Sequence, residues 1–137
     1  MESKVVAVAL CAALIAIPAA AQRVIDGDTI DLDGIRWRLW GIHAPETHQA
    51  CADGWPAGLE ATAAIRKLME GRAVVCEFRG HDRYRRSIGL CRAGGEDLGA
   101  AMVSAGMAWA FTRYSSDYIR QEREAVARGS ACTRTIA

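Results

Sequence analysis

No excess of charge of one sign marks this chain, since 17 Lys and Arg stand against 16 Asp and Glu in 137 residues. A polyanion would therefore have to be gripped by a local cluster, because a net charge of +1 gives no uniformly cationic surface. No internal repeat is visible, and the length has room for one compact domain. The five cysteines contain no C-x-x-C pair, which removes the commonest zinc-site and thiol-redox patterns. There is also no comfortable membrane span. Residues 5–21 (VVAVALCAALIAIPAAA) lack any charged side chain, but 17 residues is at the short end of the spanning range and Pro18 precedes a run of alanines.

With Lys4 before it and Ala19-Ala20-Ala21 after it, that run reads as a secretory signal peptide over residues 1–21. Residues 22–137 are then one secreted or periplasmic domain, monomeric and without stable membrane association. Export changes the meaning of the cysteines. Cys51, Cys76, Cys91 and Cys132 remain, an even number in an oxidising compartment, so disulfides outrank a thiol catalyst. Cys76 and Cys91 sit in two apolar segments flanking a polar loop, as cross-strand partners do, which leaves Cys51 for Cys132. Two free buried cysteines are the alternative.

Residues 23–33 alternate as a strand, Asp33-Gly34 is a hairpin signal, and residues 35–40 alternate again. Residues 41–55 are rich in Gly, Pro and polar side chains and read as an irregular loop. A helix is expected from Pro56 to Glu70, ending at Gly71, and strands over 73–79 and 87–92 joined by the charged loop 80–86. Asp97 suits the cap of a short helix to Ala105, and Ser116 that of a last one to about Arg128. Strands first and helices later define an α+β domain around a small sheet or barrel. His48 and His81 read as solvated loop residues, and Trp37, Trp40, Trp55 and Trp109 as packing residues.

Three polar clusters exceed what a core needs: Asp26-Gly27-Asp28-Thr29, Arg38 to Glu46 (RLWGIHAPE) and Asp82 to Arg86 (DRYRR). Alone, each matches a turn or a surface charge run. In this order, VIDGDTI, RLWGIHAPET and DRYRRSIGL resemble the staphylococcal-nuclease-like (thermonuclease) family, over about Arg23 to Gly129. More narrowly the chain is similar to exported alpha-proteobacterial members, some of them labelled as succinoglycan biosynthesis proteins.

The resemblance implies an OB-fold-like five-stranded antiparallel barrel with three helices, and a metal-dependent phosphodiesterase acting on DNA or RNA. It assigns Asp28 as a metal ligand together with the main chain of Ala44. Glu46 becomes the residue that positions or deprotonates the attacking water. Arg38 and Arg86 hold the phosphate, and Tyr84 and Tyr114 line the nucleotide pocket. Calcium is the divalent metal implied first, with manganese or another transition metal as the alternative. Two of the chain's departures from the family fall within the motifs. His43 stands where the family has a second metal-binding aspartate, and imidazole suits transition metals better than calcium. That leaves three readings open: weak calcium binding, a softer metal, or an inactive module that binds single-stranded nucleic acid or a protein partner. Arg85 stands where the family has Gly.

Overall fold

A computed structural model describes residues 21–129. The leader read over residues 1–21 therefore lies outside the described residues but for Ala21, and Cys132 lies outside them too. Among the described residues no helix is long and apolar enough to cross a membrane.

The chain opens with three antiparallel strands, β1 (Gln22–Asp26), β2 (Thr29–Leu32) and β3 (Ile35–Leu39). The single strand expected over 23–33 is thus two. Asp26 pairs with Thr29 across a tight turn, and its carboxylate accepts the Asp28 N–H at 3.1 Å, a local bond with which Asp competes against a continuous ladder. The second turn follows expectation: Asp33 (φ 52°) and Gly34 (φ 84°) both take the left-handed conformation that a two-residue hairpin demands.

After the short β4 (Ile42–His43) comes a loop and then helix α1 (Ala57–Met69), which buries Ala61, Ile65 and Met69 on one face. Strands β5 (Val74–His81) and β6 (Ser87–Ala93) pair in antiparallel, with Cys76 directly opposite Cys91 and joined to it as a disulfide. Such a bridge closes a loop of 15 residues, a nominal 3 kcal/mol or so if chain entropy alone acts. Cys51 is disulfide-bonded as well. β7 (Glu96–Asp97) adds to β6, and Asp97 caps helix α2 (Leu98–Ser104) by accepting the Ala100 N–H at 3.1 Å. β8 (Trp109–Ala110) pairs with β4, and α3 (Ile119–Ala127) follows. Ser116 does not cap α3. That helix begins later, behind Tyr118, whose ring packs on Gly99 and Gly41 and whose hydroxyl donates to Asp97.

Among the described residues the sheet runs β1-β2-β3-β6-β5, five strands on one path, with α1 and α2 packed on it and α3 packed on α2, as an α+β OB-like fold requires. Two details differ from an all-antiparallel closed barrel. β3 and β6 are parallel, because β4, α1 and β5 together form the long crossover that parallel neighbours need. β1 and β5 share no ladder, so the barrel stays open at that seam. There the Gln22 carboxamide stands in for a strand, donating to the Arg72 carbonyl at 2.9 Å and accepting from the Val74 N–H at 2.8 Å. Ile30, Leu39, Ile42, Ile65, Leu98, Met102 and Val103 fill the interior between sheet, α1 and α2. Each such side chain contributes about 1.5–3 kcal/mol through its burial.

Candidate active site

Asp28 sits at the tip of the β1–β2 turn and is 7% exposed. Its Oδ2 accepts the Ala44 N–H at 2.8 Å and is ion-paired with Nη1 of Arg38, while Oδ1 accepts the Thr29 hydroxyl at 3.1 Å. Arg38, on β3, also donates from Nη2 to the Ile42 carbonyl at 3.3 Å. Helix α1 holds this corner from below. A Cβ on Gly27 would stand 2.8 Å from the Cβ atoms of both Ala44 and Ala61, so only glycine lets the aspartate turn reach the helix. Gly58 does the same for the next loop: a Cβ there would lie 1.8 Å from the Glu46 carbonyl oxygen.

The Asp82–Arg86 loop is built around one carboxylate. Asp82 Oδ1 accepts the N–H groups of Tyr84 (2.8 Å) and Arg86 (2.9 Å), and Oδ2 accepts Nε of Arg86 at 2.6 Å. Partial burial works to raise the Asp82 pKa, but the bonds from Arg86 and Tyr84 and the charge of Arg86 outweigh it and hold the carboxyl below its ordinary value. With Nε tied down, the two Nη groups of Arg86 are left for a ligand. Arg85 takes φ 62° to complete the loop, the left-handed conformation that glycine adopts freely and arginine does not.

Arg38 and Arg86 line one cleft of about 440 Å³ together with Tyr84, Phe111 and Tyr114, and with His43, His81 and Arg113 also at its surface. Tyr84 and Tyr114 are 65% and 62% exposed, and Arg86 lies 5.6 Å from the Tyr84 ring centroid. The arrangement is a basic, aromatic-walled slot, suited to a phosphate carrying a planar group. A larger hollow of about 690 Å³ between β1 and α1 holds none of the motif residues.

The other expected residues stand differently. Glu46 is exposed in the loop after β4 and is not part of the cleft wall. His43 has Nδ1 3.8 Å from Asp28 Oδ2 and 3.4 Å from Nη2 of Arg38, with its ring stacked on Trp109 at 5.9 Å. Trp109, read as a packing residue, is half-buried and lies against the His43 ring outside the main core. His81, read as a solvated loop residue, ends β5 and faces the cleft. Phe111 and Arg113 carried no motif; their signal was only the F-T-R-Y run that places them beside Tyr114.

Whether this corner suits a cation is decided by its donor chemistry. Burial, and then the charge of neighbouring Asp28, push the Asp26 carboxyl up to about 6. The carboxylate oxygens of Asp26 and Asp28 are donors of the kind a hard divalent cation takes. The nitrogen of His43 fits a transition ion better than calcium, and Asp28 already answers Arg38. Among the described residues no three His, Cys, Asp or Glu side chains are grouped as a ready-made metal cage.

The profile of the family described as staphylococcal nuclease homologue matches residues 36–131, well over half the chain, and the protein belongs to that family. Among individual relatives, the succinoglycan biosynthesis protein ExoI of Rhizobium meliloti (strain 1021) is 40% identical over 91 residues, covering 62% of this chain and 48% of its own. A protein of Escherichia coli O157:H7 named as an uncharacterized endonuclease is 35% identical over 100 residues, 69% of this chain and 61% of the relative. The micrococcal nuclease of Shigella flexneri is 34% identical over 120 residues, 74% of this chain and 66% of the relative. The chain thus spans about half to two thirds of the length of these relatives.

Proposed function

We propose that the protein is an exported nuclease that hydrolyses phosphodiester bonds of DNA or RNA with the help of a divalent metal. The observation that carries this reading is the convergence of Arg38 and Arg86 on one cleft that Tyr84 and Tyr114 also line. Phosphodiester hydrolysis adds negative charge to the equatorial oxygens as water attacks, and planar bidentate guanidinium groups offset it at any accessible pH. Arg86 is ready for that role, its Nε oriented by Asp82. Arg38 reaches the phosphate by sharing or leaving Asp28. Glu46 acts from the adjoining loop, taking the proton of the attacking water, with Tyr84 and Tyr114 holding the nucleotide between them. Asp28 and Asp26 would hold the metal, with the Ala44 carbonyl and His43 beside them; when bound it supplies further positive charge and acidifies water. Calcium leads on the carboxylates, and manganese is favoured by His43. Family membership and the endonuclease and nuclease names of two relatives support the reading.

A second reading, a module that binds single-stranded nucleic acid without cutting it, is favoured by the place of Glu46 outside the cleft wall and by the pairing of Asp28 with Arg38. One experiment separates the two. Purified protein is incubated with plasmid DNA and with RNA in calcium, manganese or chelator, beside Glu46→Gln. Metal-dependent cleavage that Glu46→Gln abolishes supports the enzyme, whereas binding with no cleavage in any metal overturns it.

A further inference from the structure

Residues three apart on a regular strand point to opposite faces. Phe78 and His81 break that rule, because the register of β5 against β6 slips between Phe78 and Gly80, and Gly80 takes φ 115°. The inserted residue bends the strand, as bulges near functional sites do, and brings both rings to one side with centroids 5.0 Å apart and planes 66° apart. Trp37 backs the pair with its ring 6.4 Å from Phe78. Gly89 gives the indole its seat: a Cβ there would stand 2.5 Å from the Trp37 ring. The outcome is a braced aromatic corner, yet Phe78 remains 54% exposed. His81 joins this corner to the cleft, since it also lines the cleft that Arg38, Tyr84 and Arg86 line.

We propose that Phe78 and His81, braced by Trp37, form a base-stacking subsite for single-stranded nucleic acid that runs on from the phosphate held by Arg38 and Arg86. The proposal rests on the nucleic-acid reading above and adds to it a place for a neighbouring nucleotide and a preference for unpaired strands. A base offers an apolar face and polar edges. Laid on Phe78, its face covers exposed ring while its edge meets the imidazole of His81. A paired duplex hides its base faces and cannot use the corner, whereas every unpaired base can, so the subsite tolerates any sequence. Continuity with the arginine-lined cleft argues for a nucleic acid strand over a second copy of this chain.

The test uses the full chain carrying Glu46→Gln, with fluorescein-labelled thymidine dinucleotide and hexanucleotide as probes and anisotropy as the readout. Stacking on one aromatic ring predicts that Phe78→Ala and Phe78→Leu each weaken hexanucleotide binding about ten-fold, while Phe78→Trp retains it and dinucleotide affinity changes less than about two-fold. Phe78→Leu keeps the apolar packing, so its thermal melt guards against loss of fold. Unchanged hexanucleotide affinity in a folded Phe78→Leu protein overturns the subsite alone. A parent chain that binds neither probe overturns the nucleic-acid reading and the subsite together. Self-association that Phe78→Leu abolishes, at unchanged hexanucleotide affinity, assigns the corner to a second copy and overturns the proposal.

Discussion

Arg38 and Arg86 face the same cleft but are held in opposite ways. Arg38 rises from a strand, its side chain 14% exposed, and pairs with an aspartate side chain that is 9% exposed. Arg86 closes a loop, 32% exposed, on an aspartate that also organises the loop backbone. The first arrangement ties charge to the core; the second ties charge to a local turn. Losing one member of a buried pair strands the other, while losing an exposed one leaves water to take its place. The strand arginine should therefore serve fold and chemistry together, and the loop arginine chemistry alone.

The sharpest way to break that comparison is to remove each arginine. Both Arg38→Ala and Arg86→Ala should lower turnover on the order of 10² to 10³-fold, about 3–4 kcal/mol of transition-state stabilisation. Only Arg38→Ala should also cost about 3 kcal/mol or more of stability, because Asp28 stays buried without its cation. Urea unfolding of the two variants side by side decides it, and equal midpoints would show that Asp28 does not depend on Arg38.

Gly58→Ala probes the strand side from the helix. A methyl 1.8 Å from the Glu46 carbonyl oxygen must push the loop or the helix aside, so we expect a loss of about 2 kcal/mol and a turnover defect despite an unchanged catalytic set. Wild-type melting temperature and turnover in this variant would show that the loop position is not set by α1.

Acid–base behaviour should also differ between the two corners. Asp26 has a folded-state pKa raised to about 6, so the folded protein holds its proton between pH 4 and 6 when the unfolded chain does not. Its contribution to stability is greatest below that window and is lost as pH rises through it. Asp82 is lowered, so its contribution is present at neutral pH and is lost as pH falls through the acid range below its ordinary value of 3.8. In chelator, Asp26→Asn should stabilise the protein at pH 7–8 by about 1 kcal/mol, discounted for the half-buried site. Thermal melts from pH 4 to 8 that superimpose for the two proteins would remove Asp26 from the account.

The smallest effect belongs to the loop. Arg85→Gly should relieve a left-handed residue and raise stability by about 1 kcal/mol, with turnover within about two-fold, as followed by urea midpoint and plasmid cleavage. A destabilised variant would mean that the arginine side chain contributes more than its backbone costs.

Much of the fold is local and was therefore readable. Asp33-Gly34 demands a tight hairpin, Gly71 ends α1, Asp97 caps α2, and the paired apolar runs around Cys76 and Cys91 place those residues opposite each other. The strand read over 23–33 merged two, because the alternation of Ile30 and Leu32 with Asp31 and Asp33 belongs to β2 alone, while the Asp26 side chain accepts the Asp28 N–H and turns the chain before it. The parallel pairing of β3 with β6 was not readable either, since it depends on where a crossover of about 50 residues lands.

The same division runs through the candidate site. The sequence by itself determined which chemistry is available: two arginines, the Asp26–Asp28 turn, Glu46 and Tyr84, each within a short local motif, and Tyr114, which the family resemblance alone marked. It also carried His43 in place of the family's aspartate and Arg85 in place of its glycine, whereas the left-handed conformation of Arg85 came from the loop's closure. Only the tertiary structure decided which of these groups meet. It brought Arg38, Arg86, Tyr84 and Tyr114 to one cleft, tied Asp28 to Arg38, and left Glu46 in the next loop. It also added His81 and Phe78 through a bulge that periodicity conceals. The reason is physical: motifs record backbone and side-chain preferences over a few residues, whereas burial, ion pairing and a shared cleft arise from contacts between segments far apart in the chain.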